Sequence, residues 1–340
     1  MERPSEIGVG AFLPTFLLPD GPPRRRLLLD FAREGESLGF DSLWVTDHLL
    51  RATQFYQVPW LEPLDVLSFV AAATDRVRLG TGILILPLRD PVLLAKEICA
   101  LHDLSDGRFI LGAGTGWFED EFAAVGRSKR HRGRLTDEIL DLLELLLTRE
   151  SVTYQGRHFQ VENVSVDPRP SVRPPFWIAG GSQFPHEASP ETPVLAEPVL
   201  RRIQRGDGWV TRPTALPEQI REDWARIEPA IRTRERGSDG FVVAHENFVH
   251  VVDTDDREEA LEAQRAAYTG LMGERRPFEY FEAVYLTGTP AEIVDRLVAR
   301  VEAGVEYVML HPLVADPSQL ELWWNLIVGP LRERGGKRVG

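Results

Sequence analysis

The stretch that decides the fold runs from Val77 to Gly126 and reads VRLGTGILILPLRDPVLLAKEICALHDLSDGRFILGAGTGWFEDEFAAVG. Its first apolar run contains a glycine turn, a segment with helical spacing begins at Pro91, and a second apolar run ends in another glycine-rich turn. This order predicts a βαβ unit, in which two neighbouring parallel strands end side by side. The flexible loops at these two ends would suit a cofactor that carries phosphate.

The composition indicates a globular protein whose partner is a small molecule. The chain has 340 residues, of which 43% are apolar and 27% are charged, and its formal net charge is -13. Nucleic acids and anionic membranes select a basic face, so we expect neither as a partner. Cys99 is the single cysteine, which excludes a disulfide framework and a cysteine metal site. Without a secretory signal or a long apolar run, the expected location is the cytoplasm.

Short apolar segments alternate with amphipathic segments along the whole chain, and no linker divides it. This alternation favours a closed parallel (β/α)8 barrel, the TIM barrel, over an open doubly wound sheet, and we expect a single domain over residues 1–340. The predicted strands are Ile7–Phe12, Ser42–Thr46, Val77–Ile85, Arg108–Gly112, Pro175–Ala179, Gly208–Val210, Phe241–Val252 and Val305–His311. The predicted helices are Arg24–Leu38, Asp65–Thr74, Pro91–Leu104, Arg134–Leu147, Leu200–Arg205, Pro217–Arg236, Arg257–Leu271, Pro290–Ala303 and Ser318–Arg332.

Two insertions interrupt the alternation. A small hairpin is expected at about residues 151–162, from Val152–Tyr154 and His158–Val161 around Gly156. The stretch Gln183–Pro198 is rich in proline, glutamate and serine and has no periodicity, which predicts an extended loop. Because this loop directly follows a strand end, we expect it beside the barrel mouth and mobile.

Chemistry in such barrels lies at the C-terminal ends of the strands. Asp47 and His48 follow a predicted strand directly, and this position favours a functional pair over a helix cap and a loop histidine. Gly112, Gly114 and Gly116 do not have the G-x-G-x-x-G spacing, so a Rossmann site is not supported. The other strand-end segments are Phe12–Thr15, Gly80–Ile83, Gly112–Trp117, Ala179–Ser182 and His311.

Several of these residues have two readings. Gly180, Gly181 and Ser182 fit either a cofactor turn or an ordinary tight turn, and His311 fits a substrate contact or the rim of the core. A basic cluster indicates either an anionic ligand group or a solvated loop. The tryptophans Trp44, Trp117, Trp323 and Trp324 are interpreted as packing residues. The basic cluster consists of Arg127, Lys129, Arg130, His131, Arg132 and Arg134.

The motifs together resemble one family. GFDSLWVTDHLL, the stretch Val77–Gly126, RGRLTDEILDLLELL, FWIAGGS and GDGWV occur in an order and spacing similar to the luciferase-like monooxygenase superfamily. The resemblance covers most of the chain; the Gln183–Pro198 loop and the segment between Ser238 and Pro290 lack clear family motifs. It implies a barrel that binds reduced FMN or the deazaflavin coenzyme F420 at its C-terminal mouth.

The resemblance also implies site residues. Thr46–His48 looks like the strand end of the F420-dependent branch, where the aspartate and the histidine lie near the reactive ring carbon. A non-prolyl cis peptide is implied between Gly82 and Ile83. The implied cofactor contacts are Asp47, Gly82, Ile83, Gly114, Thr115, Gly116, Ala179, Gly180, Gly181 and Ser182, and no metal is implied. His48 and Asp47 are the implied catalytic residues, His48 moving the substrate proton and Asp47 orienting it.

Two departures from the family pattern bear on the substrate. Trp117 stands where F420-dependent sugar-phosphate dehydrogenases carry a glutamate, and the segment FLPTF lacks their acidic residue, which argues against sugar-phosphate oxidation.

We predict F420-dependent hydride transfer, because the anionic F420 tail would give the basic cluster a role that FMN would not. An FMN-dependent monooxygenase and a non-catalytic binder of the cofactor stay open. A homodimer is the expected assembly.

Overall fold

The apolar segments of the sequence form one closed sheet. The computed structural model describes residues 6–16, 24–52, 55–182, 195–234 and 237–335. Eight parallel strands surround the barrel axis, and the pairing of Leu79 with Phe109 and of Gly80 with Ile110 completes the ring. The predicted closed parallel barrel is therefore confirmed. Residues 183–194, which make up most of the predicted extended loop, lie outside the described residues.

The strands take these bounds, in chain order. Barrel strands are β1 (Gly8–Phe12), β2 (Ser42–Val45) and β3 (Arg78–Thr81), with β4 (Leu84–Ile85) as a short continuation, then β5 (Phe109–Gly114). The antiparallel pair β6 (Val152–Gln155) and β7 (Gln160–Val164) is the predicted hairpin, outside the barrel. The remaining barrel strands are β8 (Phe176–Ala179), β9 (Gly208–Thr211), β10 (Val242–Val249) and β11 (Tyr307–Pro312), which returns to β1.

Helices cover the outside of the barrel. They are α1 (Arg24–Leu38), α2 (Pro63–Ala71), α3 (Pro91–Leu104), α4 (Glu119–Ala124), α5 (Arg132–Thr148), α6 (Glu197–Ile203), α7 (Pro217–Arg232), α8 (Arg257–Met272), α9 (Phe278–Val284), α10 (Pro290–Glu302), α11 (Ser318–Trp323) and α12 (Gly329–Gly335). Short 3₁₀ turns lie at Leu86–Leu88 and Lys129–His131, and a π-helical turn, Trp324–Val328, joins α11 to α12. No helix among the described residues has the length and apolarity needed to cross a bilayer.

Local sequence explains where the central helix begins. Asp90 caps α3, because its carboxylate accepts hydrogen bonds from the backbone N–H groups of Val92 at 2.9 Å and Leu93 at 3.1 Å. Pro91 occupies the first helical position, where its missing N–H group costs nothing. The helices α4 and α9 are too short to show a periodic pattern, and the sequence did not predict them.

The predicted third strand is interrupted at its C-terminal end. Gly82 and Ile83 separate β3 from β4, and the peptide bond between them is cis, as predicted. The β4 strand then pairs with the end of β5, Leu84 opposite Ala113 and Ile85 opposite Gly114. The bulge and the second glycine turn are therefore neighbours at the same end of the barrel.

Large side chains fill the inside of the barrel. The ring centroids of Trp44 and Trp177 are 5.2 Å apart, and Trp44 has room because a Cβ at Gly80 would lie 2.3 Å from its ring. This packed layer closes the interior, so the open space is at the mouth. Trp44 and Trp323 are fully buried, as expected for packing residues. The interior layer consists of Phe12, Trp44, Ile110, Trp177, Val210, Ala244 and Met309.

Candidate active site

A cavity of about 320 Å³ lies at the C-terminal ends of the barrel strands, and we call it the mouth cavity. It brings together strand ends that are far apart in sequence, as the barrel prediction requires. The predicted site residues that line it are Asp47, His48, Gly82, Ile83, Gly114, Thr115, Gly116, Ala179, Gly180 and Gly181. Ser182 does not line it. Its backbone N–H donates to Asp223 at 2.7 Å and its hydroxyl also bonds that carboxylate, so Ser182 anchors the turn.

His48 is oriented by a buried carboxylate that the sequence analysis missed. Its Nδ1 lies 3.1 Å from Oε1 of Glu121, which is fully buried and also accepts the backbone N–H of Leu50 at 3.3 Å. With Nδ1–H donating to this carboxylate, Nε2 is the ring atom left for proton transfer. The helix α4 carries Glu121, directly after the glycine turn that ends β5.

Asp47 is engaged with the protein itself. Its Oδ2 accepts the backbone N–H of Ile85 at 2.8 Å, and its Oδ1 accepts from Arg89 at 3.0 Å. Burial raises the pKa of Asp47 to about 6, and the charge of Arg89 opposes that rise. Arg89 in turn pairs with Glu62 at 2.7 Å. Asp47 therefore fixes β4 beside β2, while Glu121 holds His48, the task that the sequence analysis gave to Asp47.

His311 has both ring nitrogens engaged. Nδ1 donates to the carbonyl of Pro312 at 3.2 Å, and Nε2 accepts from the hydroxyl of Thr46 at 2.8 Å. Burial lowers the pKa of His311 to about 3, so its ring is neutral near pH 7. It stacks against Phe12, with ring centroids 4.4 Å apart. His311 is thus a buried, uncharged part of the wall of the mouth cavity.

Glu246, on β10, is a second carboxyl that the sequence did not predict. Its Oε2 atom is buried and has no hydrogen-bond partner among the described residues, although part of the residue faces the mouth cavity. Burial raises the pKa of Glu246 to about 8, so the carboxyl carries a proton at neutral pH. A Cβ at Gly82 would lie 3.4 Å from this oxygen, which places the carboxyl beside the bulge. A neutral carboxyl can donate a hydrogen bond into the cavity.

The basic cluster contributes one side chain to the mouth cavity. Arg132 lines it, and Arg202 from α6 joins it, although Arg202 is paired with Asp137 at 2.7 Å. Arg127 instead donates to the backbone carbonyls of Pro87 and Arg89. Lys129 pairs with Glu119 at 3.6 Å. We expected the whole basic cluster to face an anionic group, but Arg132 is its one member that lines the mouth cavity.

Trp117 is less buried than its interpretation as a packing residue predicts. It is 40% exposed, and its ring lies edge-on to His48, with centroids 5.6 Å apart. Trp117 also lines a second cavity of about 380 Å³, which we call the side cavity. The two cavities share Tyr56, Trp117, Arg212 and Pro213. The tryptophan therefore stands between the histidine and a neighbouring space.

Known proteins with a similar sequence or fold include oxidoreductases that use F420. An F420-dependent glucose-6-phosphate dehydrogenase of Amycolatopsis mediterranei is 29% identical over 312 residues, which covers 84% of this chain and 88% of that protein. An F420-dependent secondary alcohol dehydrogenase, solved with an F420–acetone adduct, has a TM-score of 0.77 at 20% identity and covers 96% of this chain and 99% of that chain.

A flavin enzyme shares the fold as well. The oxygenating constituent of 3,6-diketocamphane monooxygenase from Pseudomonas putida, solved with FMN, has a TM-score of 0.67 at 17% identity, covering 95% of this chain and 98% of that chain. The family model for luciferase-like monooxygenases matches residues 7–307. The predicted resemblance and the prediction of an oxidoreductase are thus confirmed, and the chain belongs to the luciferase-like monooxygenase family.

Proposed function

We propose that this protein is an F420-dependent oxidoreductase that transfers a hydride to or from a small organic substrate. The observation that carries the proposal is His48, held by the buried Glu121 with its Nε2 left for proton transfer at the mouth cavity. When a hydride leaves or joins a carbon atom that bears an oxygen, a proton donor or acceptor must lie beside that oxygen. The F420-dependent relatives support the same cofactor.

The residues around the mouth cavity fit a large planar cofactor. Five glycines and one alanine are among the residues that line it, so a ring system can approach the backbone closely at those positions. The Glu246 carboxyl has an unpaired oxygen that can pair with a polar ring edge, and Arg132 supplies positive charge for a phosphate. The residues that would hold F420 are Gly82, Ile83, Gly114, Gly116, Ala179, Gly180 and Arg132. The deazaflavin supplies hydride exchange at a ring carbon and no oxygen chemistry.

The side chains around His48 perform the remaining tasks. Nε2 of His48 takes the proton of a substrate hydroxyl during oxidation, or returns a proton to an oxygen during reduction. Glu121 fixes the ring orientation and stabilises the imidazolium that forms on oxidation. Tyr56, Trp60 and Trp117 surround the ring, with centroids 5.2, 6.3 and 5.6 Å away, and limit the access of water.

An FMN-dependent monooxygenase is the alternative function. The solved structure with FMN shows that this fold accepts a flavin. The same barrel mouth would hold FMN, and His48 would then face a flavin. Oxygen consumption separates the two functions, because a deazaflavin does not react with oxygen as a flavin does.

The test is an anaerobic turnover assay with oxidised or reduced F420 and a panel of secondary alcohols, ketones and carboxylic acids. The visible absorbance of F420 should change with at least one class of substrate. A second sample receives reduced FMN and oxygen, in an oxygen electrode. Oxygen uptake with FMN and no reaction with F420 would replace the proposal by the monooxygenase. Tight F420 binding without turnover of any compound would instead favour a non-catalytic binder.

Two further expectations belong to this proposal. The homodimer would have twice the chain mass of 38.4 kDa in light scattering, and a value near 38.4 kDa would contradict it. The cytoplasmic location stays a prediction, which fractionation of the source cells would check.

A further inference from the structure

We propose that the side cavity is the substrate subsite and that it selects an apolar, ring-containing substrate with one carboxylate group. The inference rests on the proposed function, because the substrate must reach the reacting centre from a neighbouring space. It goes further by stating the chemical class of the substrate.

The side cavity lies next to the reacting centre. Tyr56, Trp117 and Arg212 line both cavities, so a molecule in the side cavity has one end at the His48 side. The rings of Tyr56 and Trp117 lie 5.2 and 5.6 Å from the His48 ring. A volume of about 380 Å³ is in the range of small-molecule sites.

Apolar and aromatic side chains form most of the described wall. Phe55, Met272, Phe281 and Tyr285 face the space, and Phe281 and Tyr285 stack with centroids 6.0 Å apart. Flat walls of this kind favour ring-shaped, apolar molecules. A sugar phosphate would leave several hydroxyl groups without partners on these walls, at a cost for each group. Trp117 likewise stands where F420-dependent sugar-phosphate dehydrogenases carry a glutamate, which also disfavours a sugar phosphate.

Three arginine side chains give one part of the side cavity a positive charge. Arg212, Arg275 and Arg276 line it, and no acidic residue is among its described lining residues. The part of the chain that the structure describes contains no ion pair for any of the three. Arg276 lies over the rings of Phe55 and Tyr280, at 4.9 and 4.6 Å, which orients its guanidinium. A planar guanidinium with no counter-ion, next to apolar walls, is suited to bidentate binding of a carboxylate.

The sequence region that supplies this site is distinctive. Met272, Arg275 and Arg276 belong to the end of α8 and the turn before α9. This region lies between Ser238 and Pro290, which contains none of the family motifs quoted from the sequence, although the family model extends across it. In barrels, loops outside the strands commonly supply the substrate contacts beside the strand ends that carry the catalytic residues.

The test measures binding of two matched probes by titration calorimetry. The first is 2-naphthoate, an aromatic carboxylate, and the second is 2-naphthamide, its neutral counterpart of the same shape. We expect the carboxylate to bind roughly ten- to a hundredfold more tightly, as one charge-assisted ion pair provides. In Arg276→Gln this preference should disappear. Arg265→Gln is the matched control, since Arg265 lies over Phe278 at 4.5 Å but does not line the cavity.

The outcomes decide the inference and separate it from the proposed function. Equal binding of the two probes, tighter binding of glucose 6-phosphate than of 2-naphthoate, or an unchanged preference in Arg276→Gln would overturn it. Thermal unfolding of each variant checks that the fold is kept, and Arg212→Gln is the second variant if Arg276→Gln fails to fold. F420 binding is measured on the same sample. F420 binding without naphthoate binding refutes the subsite alone, whereas naphthoate selectivity without F420 binding supports the subsite and refutes the proposed cofactor.

Discussion

At the scale of single residues, the proposed chemistry depends on one histidine and on which carboxylate holds it. Glu121 lies 73 positions after His48 in the chain and on a helix too short to predict. Asp47 is adjacent to His48 in sequence but bonds to Ile85 and Arg89 instead. Sequence proximity therefore suggested Asp47 as the orienting residue, whereas the folded barrel places Glu121 in hydrogen-bond contact with the His48 ring.

The first prediction concerns His48. His48→Ala should lower turnover by roughly two to four orders of magnitude, because the proton at the substrate oxygen loses its donor or acceptor. The affinity for F420 should change little, since the glycine turns and Arg132 are untouched. Steady-state kinetics and F420 fluorescence titration measure the two effects. His102→Ala, a histidine that does not line either cavity, is the control, and equal activity of both variants would refute the role of His48.

The second prediction concerns Glu246 and pH. Its pKa is raised from the ordinary value of 4.5 to about 8 in the folded protein, so between these values the folded state holds a proton that the unfolded state has lost. The contribution of this group to stability is therefore largest below pH 4.5 and decreases as pH rises toward 8, by about 1.4 kcal/mol per pH unit. Glu246→Gln removes this decrease.

Urea unfolding of the wild type and of Glu246→Gln, between pH 5 and pH 8, checks this prediction. The free energy of unfolding of the variant minus that of the wild type should increase as pH rises. The contributions of the other titrating groups cancel in this difference. A difference that stays constant with pH would mean that the Glu246 carboxyl is already ionised in the folded protein.

At the scale of elements, the barrel was predictable and its site was only partly so. The alternation of apolar strands with helices specifies eight strands, because each strand is buried on both faces and each crossover is long enough for a helix. The Gly82–Ile83 bulge and the glycine turns were found through family motifs. Glu121 and Glu246 were missed for a physical reason. Glu121 is one of three consecutive acidic residues, and only the fold shows that it is the fully buried one. Glu246 has no local signal, because elements distant in sequence bury its carboxyl oxygen.

The third prediction concerns the closure between β3 and β5. Thr81 and Gly112 face each other so closely that a Cβ at Gly112 would lie 1.8 Å from the Thr81 carbonyl oxygen. Gly112→Ala must therefore separate the strands, and we expect a loss of about 3 kcal/mol or more in the free energy of unfolding. Gly270→Ala in α8, where a Cβ would have no neighbour within 4 Å, should instead be neutral or slightly stabilising. Chemical denaturation of both variants measures this, and equal stabilities would contradict the close packing.

At the scale of the whole molecule, the residues that stabilise the barrel and the residues of the candidate site lie in different places. The packed layer around Trp44 and Trp177 closes the interior, and the helices cover the outside. The polar groups His48, Glu121 and Glu246 lie at the mouth of the barrel. This division allows one family to bind related cofactors with shared strand ends and to vary its substrates through the segments around them.

The assignment of F420 as the cofactor is tested by two equilibrium titrations of the purified protein, one with F420 and one with FMN, each followed by the fluorescence of the cofactor. We expect saturable binding of F420 at one site per chain, with weaker binding of FMN, and a loss of F420 affinity in Arg132→Gln because a charge-assisted contact to phosphate is removed. Tight binding of FMN with no detectable binding of F420 would contradict it.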